Sequence, residues 1–332
     1  MKIVFWVLVI AAIIYFVFWR VDFYPEAQPK WGVAFSEYYA SEILGLDARE
    51  TYLAILHDLN PRSLRLIAYW QYLEPKRGEF NFENLDFQIA EAGKLGKDVV
   101  LVIGERVPRW PECHAPAWIN ELSGKEKEKA FFGYLEKAVG HYKEFQNIKI
   151  WQVENEPLLS VFGACPKPDV DLLKKEIGLV KSLDSRPVMV TDSGELSFWF
   201  RAPRLGDVFG TTLYKIVWNK YTGWFKHFYP PVFYTLRGEL AKITTKTNKI
   251  VISELQAEPW TPDRKIITDI AFEEQSRHFD LNQLEENIAF AKKTGIDEIY
   301  LWGSEWWYYR KIHGDDSYWQ FVKAIIKNNP VN

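Results

Sequence analysis

Two glutamates close apolar runs in a way that suits paired-carboxylate chemistry. The first run, IKIWQVENEP, carries Asn155-Glu156-Pro157, and the second, KIVISELQAEPW, carries Glu254. A carboxyl at the end of a buried apolar run is costly unless it is paired or used. Two carboxyls about 5–5.5 Å apart can cleave a glycosidic bond with retention, one protonating the leaving oxygen while the other attacks the anomeric carbon. Other readings stay open at this point: Glu156 can cap the following segment, and Glu254 can form a purely structural pair with Arg65. Glu154, Glu258 and Glu305 are neighbouring carboxylates that compete for the same roles.

Elements that could hold such a pair are legible along the chain. Strand candidates fall at 31–36, 63–69, 98–104, 148–154, 187–192, 207–213, 249–254 and 298–303. Several are nearly continuous Val/Ile/Leu runs, as strands covered on both faces should be. Amphipathic stretches at 48–59, 82–95, 126–145, 170–183, 283–294 and 316–327 lie between or after them, with a further helix near 233–243. Gly96 and Gly295 stand where helices end, and the Lys-rich run 125–129 reads as a solvated helix start. Alternating strands and helices imply a parallel sheet, and eight such units close a (β/α)8 barrel. An open doubly wound sheet would carry a Gly-rich phosphate loop after its first strand, and the sequence has none.

In such a barrel functional groups sit at the C-terminal strand ends. Those ends supply Arg65 and Tyr69, then Glu105, Arg106 and Trp110, then Asn155 and Glu156, then Asp192 and Glu195. Tyr214, Glu254, and Trp302 with Glu305 and Trp306 complete the circuit. The fourth and seventh strands face each other across the mouth, which suits an acid on one side and a nucleophile on the other.

Asn155-Glu156-Pro157 at the fourth strand, Glu254 ending the seventh and Trp302 ending the eighth together resemble the clan of (β/α)8 glycoside hydrolases. Within that clan the likeness is to the cellulase/mannanase-like family 5, with similarity to family 42 and family 39 type enzymes. The segment Trp70-Gln71-Tyr72-Leu73-Glu74-Pro75, with Gly78, Phe80-Asn81-Phe82 and Leu85-Asp86, is similar to a W-x-x-x-E-P-x-x-G-x-F-x-F stretch of several such families. The resemblance covers about residues 31–326. It implies a retaining hydrolase of β-linked glycans with Glu156 as acid/base and Glu254 as nucleophile. Asn155 would bind the sugar 2-hydroxyl, Tyr214 would hold the nucleophile, and Arg65 would keep it ionised. Trp302 would floor the subsite beside the cleaved bond. Trp110, Trp260 and Trp306 cluster after strand ends three, seven and eight and are candidate substrate-binding aromatics, with core packing the other reading for each. The Gly that often follows the nucleophile by two positions is Gln256 here, and His114 is a candidate for the His some of these families carry. Transglycosylation on the same site and a non-catalytic, membrane-tethered glycan-binding barrel are the rival functions.

The chain holds 15 Trp and 17 Tyr, which fits either a core rich in rings or a cleft paved with the flat apolar faces that sugar rings need. A net charge of −3 gives no electrostatic reason for a nucleic-acid partner. No clustered metal-ligand spacing or cofactor motif appears, so no metal or cofactor is expected. Residues 3–19 are free of charge and flanked by Lys2 and Arg20. As a helix they span roughly 25 Å, the short end of a bilayer span. Bulky aromatics stand where a cleavage site would need small residues, which favours an uncleaved signal anchor over a cleaved signal. The expected organisation is a transmembrane helix over 1–20, a tether over 21–30 and a catalytic barrel over 31–332, single-pass in the cell membrane with the barrel outside the cytoplasm. Cys113 and Cys165, in loops after adjacent strands, are a possible disulfide in that setting.

Overall fold

The computed structural model describes residues 2–25 and 27–328. The strands are β1 (Lys30–Phe35), β2 (Ser63–Ile67), β3 (Asp98–Ile103), β4 (Ile148–Val153), β5 (Val188–Asp192), β6 (Val208–Leu213), β7 (Ile216–Asn219), β8 (Gly223–Lys226), β9 (Lys249–Gln256) and β10 (Glu298–Trp302). Eight of them close a parallel barrel in the order β1-β2-β3-β4-β5-β6-β9-β10, while β7 and β8 form a separate antiparallel hairpin. The expected (β/α)8 barrel is therefore present, with each strand begun within a residue of its sequence-based position.

Alternation along the strands divides their side chains between two cores. Leu64, Leu66, Val99, Leu101 and Ile103 join the shell beneath the helices. Val100, Ile150, Met189, Val208, Val251 and Tyr300 fill the barrel interior. Each fully buried aliphatic side chain contributes about 1.5–3 kcal/mol relative to exposure, so this two-sided burial is what holds the strands in register. Helices begin where the sequence offers caps. Asp169 accepts from the backbone of Asp171 and Leu172 ahead of the helix Val170–Leu183. Ser123 and Glu126 form a reciprocal capping box at the start of Gly124–Tyr142, so the lysines that follow are a helix start.

Several elements differ from expectation, among them the unforeseen helix Phe272–His278. The stretch 48–59 is an α-helix only over Ala48–Ala54; it widens into a π-turn over Ile55–Leu59 and stops at left-handed Asn60. The hairpin β7–β8 and the helix Ser304–Ile312 were not marked by periodicity. The latter starts inside the WGSEWWYY run, where apolar residues on all sides hide the helical period.

The N-terminal helix runs over Lys2–Arg20, and Val4, Phe5, Trp6, Val7 and Leu8 are exposed on it. Among the described residues no helix is long and apolar enough to cross a membrane. The side chains of Ile3, Ala11 and Ile14, within the expected anchor over 3–19, and of the flanking Arg20 fall outside the described residues.

Candidate active site

A bulge in β9 aims the first carboxylate. Val251 belongs to the barrel interior and Ile252 to the outer shell, so simple alternation would point Glu254 outward. The pairing with β6 passes from Thr211↔Ile252 to Thr212↔Glu254, skipping Ser253. That extra residue restores the inward direction for Glu254 and Gln256 while Leu255 packs outside. Glu254 then accepts from Arg65 Nη1 at 2.9 Å and from Tyr214 Oη at 2.9 Å.

Arg65 on β2 ties three strands together. It is fully buried, donates from Nε to Gln152 at 2.8 Å and from Nη2 to Asn155 Oδ1 at 2.9 Å. The structure thus brings Arg65, Asn155, Tyr214 and Glu254 into one hydrogen-bonded network.

Beyond β4 the chain turns sharply. Glu154 and Glu156 both hold left-handed backbone angles, at φ 60° and 45°, a conformation that costs a non-glycine residue of order 1 kcal/mol or more and is often found at functional sites. The turn sends the two glutamates to different places. Glu154 accepts from the backbone N–H of Glu105 and Arg106 at 2.8 and 2.7 Å and lies near Glu176. A Cβ on Gly104 would lie 2.4 Å from Glu154 Oε1, so only glycine leaves room for that carboxyl. Glu156 instead faces the mouth, its backbone N–H donating to Thr191 Oγ1 at 2.8 Å. Burial and then the nearby carboxylates Glu254, Glu112, Asp192 and Glu195 raise the Glu156 pKa well above the usual range.

Other carboxylates are accounted for. Glu258 and Glu305 both pair with Arg109, whose guanidinium lies between the rings of Tyr39 and Trp302 at 3.6 and 4.0 Å from their centroids. Glu195 accepts from Tyr234 Oη at 2.7 Å and from the Tyr214 backbone at 2.9 Å, bracing the segment that carries Tyr214. Glu74 of the W-x-x-x-E-P segment accepts from Trp70 Nε1 and from the Gly78 backbone, both at 2.8 Å, and so staples a turn. Gln256, in the position often held by Gly, accepts from the backbone of Lys215 and Ile216 at 2.9 and 3.0 Å and anchors the hairpin.

The aromatic residues divide. Trp302 is buried at the mouth with one face against Arg109. Trp260 packs edge-on against Tyr214, 5.7 Å between centroids, and is partly open. Trp110 is 45% exposed on the loop after β3. Trp306 requires correction: it is fully buried, donates to Gln275 at 2.8 Å and packs on Tyr318 and Phe279. A helix side chain enclosed in the outer shell cannot meet substrate. His114 packs between the rings of Tyr38 and Tyr69, at 4.8 and 4.7 Å between centroids. It bonds the Arg109 carbonyl at 2.9 Å, and burial lowers its pKa to about 4.

Glu112 is the member that sequence reasoning missed. It holds φ 73° in the loop after β3, accepts from Asn155 Nδ2 at 3.3 Å, and has Glu254, Arg106 and Arg65 as electrostatic neighbours. Burial, then Glu254, raises its pKa to about 7. Its neighbour Cys113 is bonded to Cys165 with Cα atoms 5.3 Å apart, which joins the loops after β3 and β4. No strand end or motif marks Glu112; only the Cys pair hinted that its loop reaches the acid/base loop.

A cavity of about 390 Å³ lies at the opposite, N-terminal end of the barrel, lined by Tyr24, Tyr234, Lys242, Lys249 and Asp297 among others. Its lining includes none of Arg65, Asn155, Glu156, Tyr214 or Glu254, and Tyr234 alone reaches from it to Glu195. Among the described residues no group of acidic, His or Cys side chains is arranged to hold a metal.

No protein-family model matches the sequence, and no curated protein matches it. Solved structures do. A psychrophilic glycoside hydrolase family 10 endo-β-1,4-xylanase matches at 17% identity and TM-score 0.51, over 83% of this chain and 86% of that one. A variant of the GH5_18 protein of Streptomyces cattleya, in complex with Manβ1-4GlcNAc, matches at 13% identity and TM-score 0.54 over 82% and 70%. The exo-β-1,4-mannosidase Op5Man5 from Opitutaceae bacterium strain TAV5 matches at 12% identity and TM-score 0.58, over 90% of this chain and 59% of that one. The chain thus shares the closed (β/α)8 fold of glycoside hydrolases from families 10 and 5.

Proposed function

We propose that this protein is a retaining glycoside hydrolase acting on β-linked glycans, with Glu254 as nucleophile and Glu156 as acid/base. The observation that carries the reading is the unequal treatment of two carboxyls at one mouth. Glu254 receives hydrogen bonds from Arg65 and Tyr214, which suits an anionic nucleophile. Glu156 is surrounded by carboxylates that favour its protonated form. A carboxyl held protonated beside one that receives hydrogen bonds from two donors is the division that an acid and a nucleophile need.

In this mechanism Glu156 protonates the leaving oxygen as Glu254 Oε attacks the anomeric carbon, giving a glycosyl-enzyme ester and a free aglycone. Glu156, now ionised, takes a proton from water, whose oxygen attacks the same carbon and releases Glu254. Asn155 binds the sugar 2-hydroxyl, while Trp302, Trp260 and Trp110 supply aromatic contacts. The Manβ1-4GlcNAc complex of the GH5_18 neighbour supports a glycan ligand for this fold. No cofactor enters the scheme.

The N-terminal helix Lys2–Arg20 is read as a membrane anchor holding the barrel outside the cytoplasm, consistent with the Cys113–Cys165 bond. Replacing Glu254 with Ala should lower glycoside turnover by several orders of magnitude, with azide partly restoring it and giving a product of inverted configuration. Near-normal turnover in Glu254→Gln would overturn the assignment. Transglycosylation on the same residues would appear as transfer to added sugar in place of water.

A further inference from the structure

The 2-position of the sugar meets an unusual surface in this protein. On the reading above, Asn155 is the side chain that addresses it. Its Oδ1 is taken by Arg65 at 2.9 Å, which fixes the amide so that Nδ2 points the other way. That Nδ2 donates to Glu112 Oε2 at 3.3 Å. A second carboxylate therefore stands where the substituent at C2 would be received.

Glu112 is held there by covalent and steric means. Cys113 binds it to the loop after β4. Its own backbone is left-handed, and a Cβ on Gly163 would lie 2.8 Å from Glu112 Cβ, so the two loops pack closely. The mouth around it is rich in carboxyls. Glu156 has Glu254, Glu112, Asp192 and Glu195 as its strongest charged neighbours. Arg65 is already committed to Glu254, and Arg109 to Glu258 and Glu305, which leaves Arg106 as the remaining cation that offsets Glu112. A neutral hydroxyl makes little use of this excess of anionic acceptors. A cation fixed at C2 would use it, because an ammonium–carboxylate hydrogen bond is roughly twice as strong as a neutral one.

We propose that Glu112 selects glycosides bearing a free amine at C2, that is, β-linked 2-amino-2-deoxyhexosides, with its carboxylate receiving the substrate ammonium beside Asn155. This rests on the hydrolase reading and narrows its substrate class. An acetylated amine would lose the charge and bring bulk against Glu112, so N-acetyl sugars are disfavoured at this subsite.

The test compares aryl β-glycosides that differ only at C2 (amine, hydroxyl or acetamide) in the gluco, galacto and manno series, using the full chain in detergent and its Glu112→Gln variant. For at least one series the wild-type protein should show a kcat/KM for the amine at least 10-fold above the matching hydroxyl and acetamide substrates. Glu112→Gln should lower the amine-to-hydroxyl ratio of kcat/KM at least about 10-fold, whatever it does to either value alone. An amine-to-hydroxyl ratio at or below one in every series overturns the proposal, even if the variant does not fold. So does an equal fall on all substrates in a folded variant, which is what a residue serving only to orient Asn155 would give. Turnover of the hydroxyl substrates with no amine preference refutes this inference and leaves the hydrolase reading standing. A folded wild-type protein that cleaves none of the panel counts against both.

Discussion

Arg65 and Glu254, 189 residues apart, meet across the barrel mouth at 2.9 Å with the guanidinium fully buried. Such a contact is strong only while both partners are present, because either charge left alone in the barrel keeps its desolvation penalty. Replacing Arg65 with Met should therefore destabilise the fold by about 3–5 kcal/mol, seen as an earlier thermal or urea transition. Part of that loss should return in Arg65→Met/Glu254→Gln, since the second change removes the stranded charge. An unchanged midpoint in Arg65→Met would show that the pair contributes nothing.

Tyr214 makes the other hydrogen bond to Glu254, and its ring is held by Trp260. Tyr214→Phe keeps the ring and deletes the donor. A hydrogen bond to a charged group is worth about 1.5–3 kcal/mol, so turnover should fall roughly 10- to 100-fold with little change in melting temperature. A full-rate Tyr214→Phe enzyme would remove Tyr214 from the nucleophile's support.

Glu176 predicts a pH-dependent stability. Its Oε2 is buried without a partner, and burial, then Glu105 and Asp169, raises its pKa to about 8. The folded protein thus keeps a proton that the unfolded chain, with an ordinary carboxyl near 4.5, has released. Stability from that proton is complete below the unfolded value and drains away as pH rises from about 4.5 through 8. Glu176→Gln stays neutral throughout, so its melting temperature should match wild type near pH 4.5 and exceed it by several degrees at pH 8. Parallel melting curves across that range would contradict the assignment.

The Cys113–Cys165 bond closes a loop with a sequence separation of 52. Loop closure of this size stabilises by about 2–4 kcal/mol. Reduction should lower the melting temperature and, because Glu112 and Asn155 sit on the joined loops, raise KM as well. Two alkylatable thiols in protein taken from its native membrane without reductant would refute the bond in vivo and weaken the outward orientation.

Much of this architecture was readable from residue order. Short apolar runs, several of them nearly continuous Val/Ile/Leu, located all eight barrel strands, since burial on both faces leaves a signal that needs no partner strand to be seen. Asn155, Tyr214 and Glu254 stand at or near strand ends and Arg65 stands within β2, and the resemblance singles out all four. What the sequence hid depended on local irregularity. The bulge at Ser253, which turns Glu254 inward, has no residue signature. Left-handed Glu154 and Glu156 separate two neighbouring carboxyls that alternation would treat alike. Trp306 was mistaken for a subsite because proximity to a strand end says nothing about whether the next helix turns its side chains outward. Glu112 escaped notice because its approach to Asn155 is set by loop packing.

The central claim is that Glu254 bonds covalently to substrate. It is tested most directly by incubating the protein with 2-deoxy-2-fluoro-β-glycosyl fluorides, which slow release of the ester more than its formation, and by mapping the adduct by peptide mass spectrometry. The account predicts a single glycosyl adduct on the peptide carrying Glu254, absent in Glu254→Gln and released by an acceptor sugar. An adduct on Glu156 or Glu258, or steady turnover in Glu254→Gln, would contradict it.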